Sequence, residues 1–126
     1  NPAIMSEFLK TKVSYNLNWA SQAAGVAAME DYAYMEAQAD KIKATRVRLT
    51  ESLRTLGFSV RDSQSNFVLA RWNGSPSAKV IFERLRDEAI LVRYFDLEGL
   101  DDALRISIGT DEETDALLSA LAYLAE

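Results

Sequence analysis

Cysteine and histidine are both absent from this sequence of 126 residues. Without cysteine the chain forms neither a disulfide nor a thiolate site, and without histidine it forms no catalytic triad that uses imidazole. The lack of both residue types also excludes the usual zinc sites, and we expect no metal centre. The missing cysteine leaves the redox compartment undetermined.

The sequence also lacks a long hydrophobic run and an excess of positive charge. No apolar segment approaches the roughly 20 residues that a membrane helix needs, and no signal peptide is visible. The net charge of −5 argues against nucleic acid or an acidic membrane as a partner, because either would favour a surplus of cations. We therefore expect a soluble, cytoplasmic protein with neither kind of partner.

The residues that are present suffice for one domain. The chain is 48% hydrophobic and 26% charged, and at this length it provides one core and hardly two. It begins "NPAIMSEFLK", without an initiating methionine. This leaves open whether it is a processed protein or a piece of a longer one.

The first half of the sequence is predicted to be helical. Apolar residues recur at helical spacing within residues 1–12, and Asn18 or Ser21 is placed to cap a second helical run. Asp31 divides this run into two helices, and Gly57 marks the end of the second. The segment "ASQAAGVAAM" is apolar around most of its circumference, which predicts a helix packed on several sides.

In the second half the hydrophobic period changes from helical to alternating. Four strands are predicted, at "FSV" (58–60), "NFVLARW" (66–72), "ILVRYF" (90–95) and "ALRISI" (103–108). The helix after the second strand is expected to have Ser75 as its N-cap and Pro76 at its first position. The last helix, over 111–125, is preceded by Thr110 and Glu113 in the T-x-x-E order of a capping box.

These elements predict an α+β fold. Two leading helices are followed by the order β-β-α-β-β-α, a sandwich in which helices cover one face of a small, mainly antiparallel sheet. Because successive side chains of a strand point to opposite faces, Arg71, Arg93 and Arg105 are expected on the face that the helices leave open. The register of the strands is not readable from the sequence, so which arginines are neighbours stays open.

Residue chemistry permits two interpretations of these arginines. An arginine on the wet face of a sheet commonly forms a solvated ion pair, which contributes little to stability. A planar guanidinium can instead bind a carboxylate or a phosphate bidentately. Spacing alone favours the first interpretation.

Three segments carry a resemblance to a known family: "SYNLNWASQAAGVAAM", "LGFSVRDSQSNFVLARW" and "ILVRYFDLEGLDDALRISIGTDEE". Together they resemble the C-terminal portion of the histidinol-phosphate aminotransferases, which are pyridoxal-phosphate-dependent enzymes of the aspartate aminotransferase fold. The resemblance runs from about Val13 to the last helix and is sharpest in "SQSNFVL", "VRYF" and "LRISIGT". It implies a homodimeric enzyme that converts histidinol phosphate and 2-oxoglutarate to imidazole acetol phosphate and glutamate.

The resemblance also implies roles for individual residues. Arg105 would bind the substrate carboxylate, and Arg93 would lie near the substrate phosphate. Asn66 is a further candidate for substrate binding, although a side-chain amide at the start of a strand often only satisfies a turn. Tyr15 and Asn16 are expected to be hinge and capping residues between two domains.

The cofactor implied by the resemblance is pyridoxal 5'-phosphate, held by a lysine that forms a Schiff base with it. In the family that lysine precedes the point where this chain begins, and the lysines present all have the sequence context of solvated helix residues: Lys10, Lys12, Lys41, Lys43 and Lys79. Residues 1–30 are therefore interpreted as a connecting segment and 31–126 as the small domain, with the large cofactor-binding domain outside this chain. We expect the chain alone to be inactive.

Two other functions stay open at this point. One is a non-catalytic α/β module that binds an acidic metabolite or a partner protein. The other is the tail of a threonine-phosphate decarboxylase or of an aromatic aminotransferase, since both families have similar C-terminal segments.

Overall fold

The computed structural model describes residues 1–11 and 17–124, and the contacts of the chain divide it into two compact units. The first unit is Asn1–Glu36 and the second is Ala37–Glu126. The predicted hinge residues Tyr15 and Asn16 lie outside the described residues. Within those residues, no helix combines the length and the apolar character needed to cross a membrane.

The first unit is helical, as the sequence predicts. Helix α1 is Pro2–Thr11 and helix α2 is Trp19–Glu30, while α3, Tyr32–Thr55, begins in this unit. Asn18 caps α2, because its side-chain oxygen accepts a hydrogen bond from the Ser21 backbone N–H at 2.9 Å. Asp31 caps α3 in the same way through the Tyr34 N–H at 3.3 Å.

The helices α1 and α2 contain no buried residue. Within this chain the expectation that the "ASQAAGVAAM" helix packs on several sides is therefore wrong. Trp19, for example, is 83% exposed. The other large apolar side chains exposed on these two helices are Ile4, Met5, Phe8, Leu9, Val26 and Met29.

The second unit contains the sheet. Its elements follow the remainder of α3 in the order β1 (Ser59–Val60), β2 (Phe67–Arg71), α4 (Ala78–Asp87), β3 (Arg93–Tyr94), β4 (Ala103–Ser107) and α5 (Asp111–Leu124). The strands lie in the spatial order β1-β2-β4-β3, and every neighbouring pair is antiparallel. The predicted α+β class, the β-β-α-β-β-α order and the antiparallel sheet are confirmed.

One face of the sheet forms the core. Val68 and Ala70 of β2, with Leu104 and Ile106 of β4, are buried on that face. Helices α4 and α5 cover it, as predicted, and the second half of α3 joins them. The helical side chains buried in this core are Leu49, Leu53, Ile81, Leu85, Leu117, Ala120, Leu121 and Leu124.

The start of α4 differs from the prediction. Ser75 and Pro76 precede the helix, whose N-cap position is Ser77 and whose first residue is Ala78. The Pro76 carbonyl accepts a hydrogen bond at 2.8 Å from the indole N–H of Trp72. This contact joins the end of β2 to the residue two positions before the helix, and the helix begins two residues later than the Ser75–Pro76 pattern indicates.

The capping box before α5 is present. Thr110 Oγ1 accepts from the Glu113 backbone N–H at 3.2 Å, and Glu113 Oε2 accepts from the Thr110 N–H at 2.8 Å. We expect Thr110→Ala to lower the free energy of unfolding by about 1 kcal/mol, since an N-cap oxygen is lost. Urea unfolding of the chain would measure the change. Thr110→Ser keeps the oxygen and should restore most of the difference, whereas equal losses in both variants would contradict the capping role.

Candidate functional site

The register of the sheet brings two of the predicted arginines together. Arg93 of β3 lies directly opposite Arg105 of β4, and Arg105 lies opposite Leu69 of β2 on its other side. Both arginines are exposed, on the face that the helices leave open. Residues directly opposite in an antiparallel pair have their Cβ atoms about 4.5–5.5 Å apart, so the two side chains start from neighbouring positions on this face.

No acid neutralises this arginine pair among residues 1–11 and 17–124. Neither guanidinium forms an ion pair or donates a hydrogen bond to that part of the chain. Like charges directly opposite each other destabilise a sheet. The pair is therefore arranged to attract a ligand of negative charge.

Arg71 shares the open face but is used differently. Its Nη1 donates to Asp102 Oδ1 at 2.6 Å, and its Nη2 donates to the Gly99 carbonyl at 2.9 Å. Both partners belong to the connection between β3 and β4, which Arg71 thereby ties to the sheet. For this residue the ion-pair interpretation is correct.

Two aromatic rings support the unpaired arginines. The guanidinium carbon of Arg105 lies 5.4 Å from the ring centroid of Phe67, and that of Arg93 lies 5.5 Å from the ring centroid of Phe95. Both distances are within the range of cation–π attraction. The alternation along β2 and β3 already places each ring on the same face as an arginine, but only the register shows that Phe67 reaches Arg105.

Each arginine of the pair can bind an anionic group. Each guanidinium offers a planar fork of N–H donors that matches a carboxylate or a phosphate. Because no acid of the described chain occupies these donors, a ligand would not have to displace one.

Asn66 lies at the end of the sheet. Its backbone carbonyl accepts from the Ile108 N–H at 2.8 Å, and its side-chain Oδ1 accepts from Ser65 Oγ at 3.4 Å. It precedes Leu69, the residue opposite Arg105, by three positions, or roughly 10 Å of strand. No hydrogen bond joins Asn66 to Arg93 or Arg105 within residues 1–11 and 17–124, and its role in binding stays a prediction.

A second concave surface lies between α3 and the start of α5. This groove of about 1090 Å³ is bordered by Lys41, Arg48 and several acids. Arg48 forms ion pairs with Asp111 and Asp115, and hydrogen bonds to these carboxylates raise the pKa of its guanidinium. The charge of Arg48 is thus neutralised by two acids of the groove, and further acids border it. These negative charges make the groove unsuited to a phosphate.

The described lysines do not form a cofactor site. Lys10 pairs with Glu7 and Lys43 with Asp40, both at exposed helix positions. Lys41 and Lys79 are exposed as well, and Lys41 borders the acidic groove. The residues described here therefore do not fit pyridoxal phosphate, which needs a lysine beside a phosphate-binding cradle.

Comparison with known proteins gives consistent matches. The chain matches the family model described as aminotransferase class I and II over residues 1–121. It is 43% identical over 126 residues to histidinol-phosphate aminotransferase 1 of Nostoc sp., covering 100% of this chain and 35% of the relative. It is 49% identical over 98 residues to histidinol-phosphate aminotransferase of Chromohalobacter salexigens, covering 78% of this chain and 28% of the relative.

A solved structure is similar along the same length. Histidinol-phosphate aminotransferase from Sinorhizobium meliloti, in complex with pyridoxal-5'-phosphate, matches with a TM-score of 0.83 at 28% identity, covering 98% of this chain and 34% of that chain. The chain spans about a third of the length of the curated relatives that it matches over its full extent.

Proposed function

The chain belongs to the aminotransferase class I and II family, and we propose that it is the C-terminal part of a histidinol-phosphate aminotransferase. The proposed reaction of the parent enzyme converts histidinol phosphate and 2-oxoglutarate to imidazole acetol phosphate and glutamate. The names of the relatives in Nostoc sp. and Chromohalobacter salexigens support this choice of substrates.

The observation that carries the proposal is the neighbouring pair Arg93 and Arg105. We assign Arg105 to the carboxylate of glutamate or 2-oxoglutarate and Arg93 to the phosphate of histidinol phosphate. All the substrates and products carry at least one anionic group, so fixed cations can serve both halves of a reaction whose substrates alternate in one site. The absence of a counter-acid in the described chain supports a binding role over a structural one.

The chemistry of the arginine pair explains how it would contribute to catalysis. A bidentate contact to a carboxylate fixes the direction of the bound molecule as well as its position. Such orientation lowers the barrier of the chemical step because less freedom remains to be lost in the transition state. Contacts to an anion are also stronger where water is excluded.

Pyridoxal phosphate is proposed to bind to the part of the parent that lies outside this chain. The lysines that the structure describes do not fit the cofactor, so we expect the chain alone to have no transaminase activity. We further propose that the parent is a cytoplasmic homodimer and acts on small molecules, without a nucleic-acid or membrane partner. The net charge of −5 supports the last point.

An assay of the full-length parent tests the proposal. Purified enzyme loaded with cofactor should form glutamate from 2-oxoglutarate when histidinol phosphate is the amino donor. Phenylalanine and threonine phosphate serve as matched alternatives that represent the aromatic aminotransferases and the decarboxylases. Preference for either of these, or release of carbon dioxide, would contradict the assignment. The absence of all these activities would favour a binding module.

A further inference from the structure

We propose that Phe67 is a positioning residue that holds the Arg105 guanidinium ready for the substrate anion without occupying its donors. The identity of that anion, a carboxylate, rests on the proposed function. The inference itself rests on where the sheet places the ring and on what else contacts Arg105.

The sheet places the ring and the guanidinium on one face. Phe67 lies opposite Ser107 in the ladder between β2 and β4, so it is the diagonal neighbour of Arg105 on the same face. Diagonal neighbours remain within reach of aromatic and long side chains. The observed distance of 5.4 Å from the Arg105 guanidinium carbon to the Phe67 ring centroid agrees with this geometry.

No other side chain of the described residues holds the Arg105 guanidinium. An arginine side chain has many rotamers, and ordering them on ligand binding reduces affinity. A ring face restricts these rotamers through cation–π attraction. Because the ring accepts no conventional hydrogen bond from the fork, the N–H donors stay available to the ligand.

Arg71 shows the contrasting arrangement on the same face. Asp102 and the Gly99 carbonyl fix its guanidinium, and in doing so they occupy its donors. An acid in the place of Phe67 would likewise immobilise Arg105, but the ligand would have to displace that acid. Phe95 supports Arg93 at 5.5 Å, so the same kind of support recurs at the second arginine of the pair.

Phe82 provides a matched control elsewhere in the second unit. Its ring has the Arg86 guanidinium carbon at 5.6 Å and stacks on Tyr94 at 5.8 Å. It belongs to α4, which covers the opposite face of the sheet. Replacing Phe82 removes the same kind of ring–cation contact, and it leaves the ring that lies against Arg105 in place.

The test uses steady-state kinetics of the full-length holoenzyme with 2-oxoglutarate as the varied substrate. Phe67→Leu and Phe67→Met should each raise the KM for 2-oxoglutarate about five-fold, in line with the loss of one exposed cation–π contact. Their kcat should change by less than about two-fold, because a weaker hold on the anion mainly affects binding. Phe67→Tyr keeps the ring and should have a KM near that of the wild type. Phe82→Leu should leave the KM unchanged.

A double variant separates this inference from the proposed function. If Phe67 acts through Arg105, then Phe67→Leu should add nothing to the KM of Arg105→Gln. A five-fold increase that persists in the Arg105→Gln background would overturn the inference, as would an unchanged KM in both Phe67→Leu and Phe67→Met. Arg105→Gln with a wild-type KM would overturn the proposed function instead. Thermal unfolding of each variant establishes that the compared enzymes are folded, and Phe67→Met preserves most of the apolar bulk if Phe67→Leu does not fold.

Discussion

Replacing Arg105 with glutamine in the full-length enzyme should lower kcat/KM for 2-oxoglutarate. The expected decrease corresponds to a loss of about 2–4 kcal/mol of transition-state stabilisation. The substrate carboxylate would lose its charged, bidentate partner while its own charge still has to be taken out of water. The neighbouring Arg93 cannot compensate fully, because a cation at a different position does not restore the bidentate geometry of Arg105. The effect should combine an increase in KM with a decrease in kcat, because Arg105 is assigned to both the binding and the orientation of the carboxylate. Steady-state assays at fixed, saturating histidinol phosphate measure it.

Two variants make this result specific. Arg105→Lys keeps the charge and loses the planar fork, so it should recover only part of kcat/KM. Arg84→Gln removes an exposed arginine of α4, a helix on the opposite face of the sheet, and should have kcat/KM equal to that of the wild type. If Arg105→Gln and Arg84→Gln behaved alike, the cation at position 105 would have no special role.

The second large effect concerns the core that holds the arginine pair in register. Leu53 of α3 is 0% exposed and packs in the cluster beneath β2 and β4. Leu53→Ala should lower the free energy of unfolding by about 2–5 kcal/mol, because apolar contact is lost and a cavity remains. Urea unfolding followed by tryptophan fluorescence measures this. Trp72 reports on the folded state, since its ring contacts the ring of buried Phe58 with the centroids 4.7 Å apart.

Leu91 supplies the control for this variant. It is the same residue type but is 81% exposed, and Leu91→Ala should change the free energy of unfolding by less than about 0.5 kcal/mol. Similar decreases in the free energy of unfolding at both positions would mean that Leu53 of α3 does not stabilise the core more than an exposed leucine does. A Leu53→Ala variant as stable as the wild type would mean the same.

Local signals in the sequence were sufficient to locate most elements. Caps at Asn18, Asp31 and Thr110 act within one helical turn, so their residue types predict helix starts without knowledge of the fold. Gly57 has a φ of 93°, a backbone conformation that glycine adopts at little cost, and it ends α3 where the sequence predicts. The family resemblance rests on similarly local motifs, and it is confirmed.

Features that depend on distant partners were not predictable. The segment 90–95 has strand-forming residues throughout, yet only Arg93 and Tyr94 pair with β4. Strand propensity indicates whether a segment can adopt a strand conformation, whereas the hydrogen-bonded pairing depends on where the neighbouring strand lies.

The candidate site likewise combines features that the local sequence predicts with features that depend on the register of the sheet. Alternation within each strand places Arg71, Arg93 and Arg105 on one face, as the structure has them. Only the register distinguishes the cation tied to Asp102 from the two that face each other. The support that Phe67 gives to Arg105 crosses from β2 to β4 and likewise depends on register.

A crystal structure of the full-length enzyme with bound glutamate tests the central claim most directly. We expect a substrate carboxylate at about 2.7–2.9 Å from the Arg105 guanidinium nitrogens, the distance of a charge-assisted hydrogen bond, with the Phe67 ring still against that guanidinium. A structure in which Arg105 is paired with an acid of its own chain, and other residues hold the carboxylate, would contradict the account.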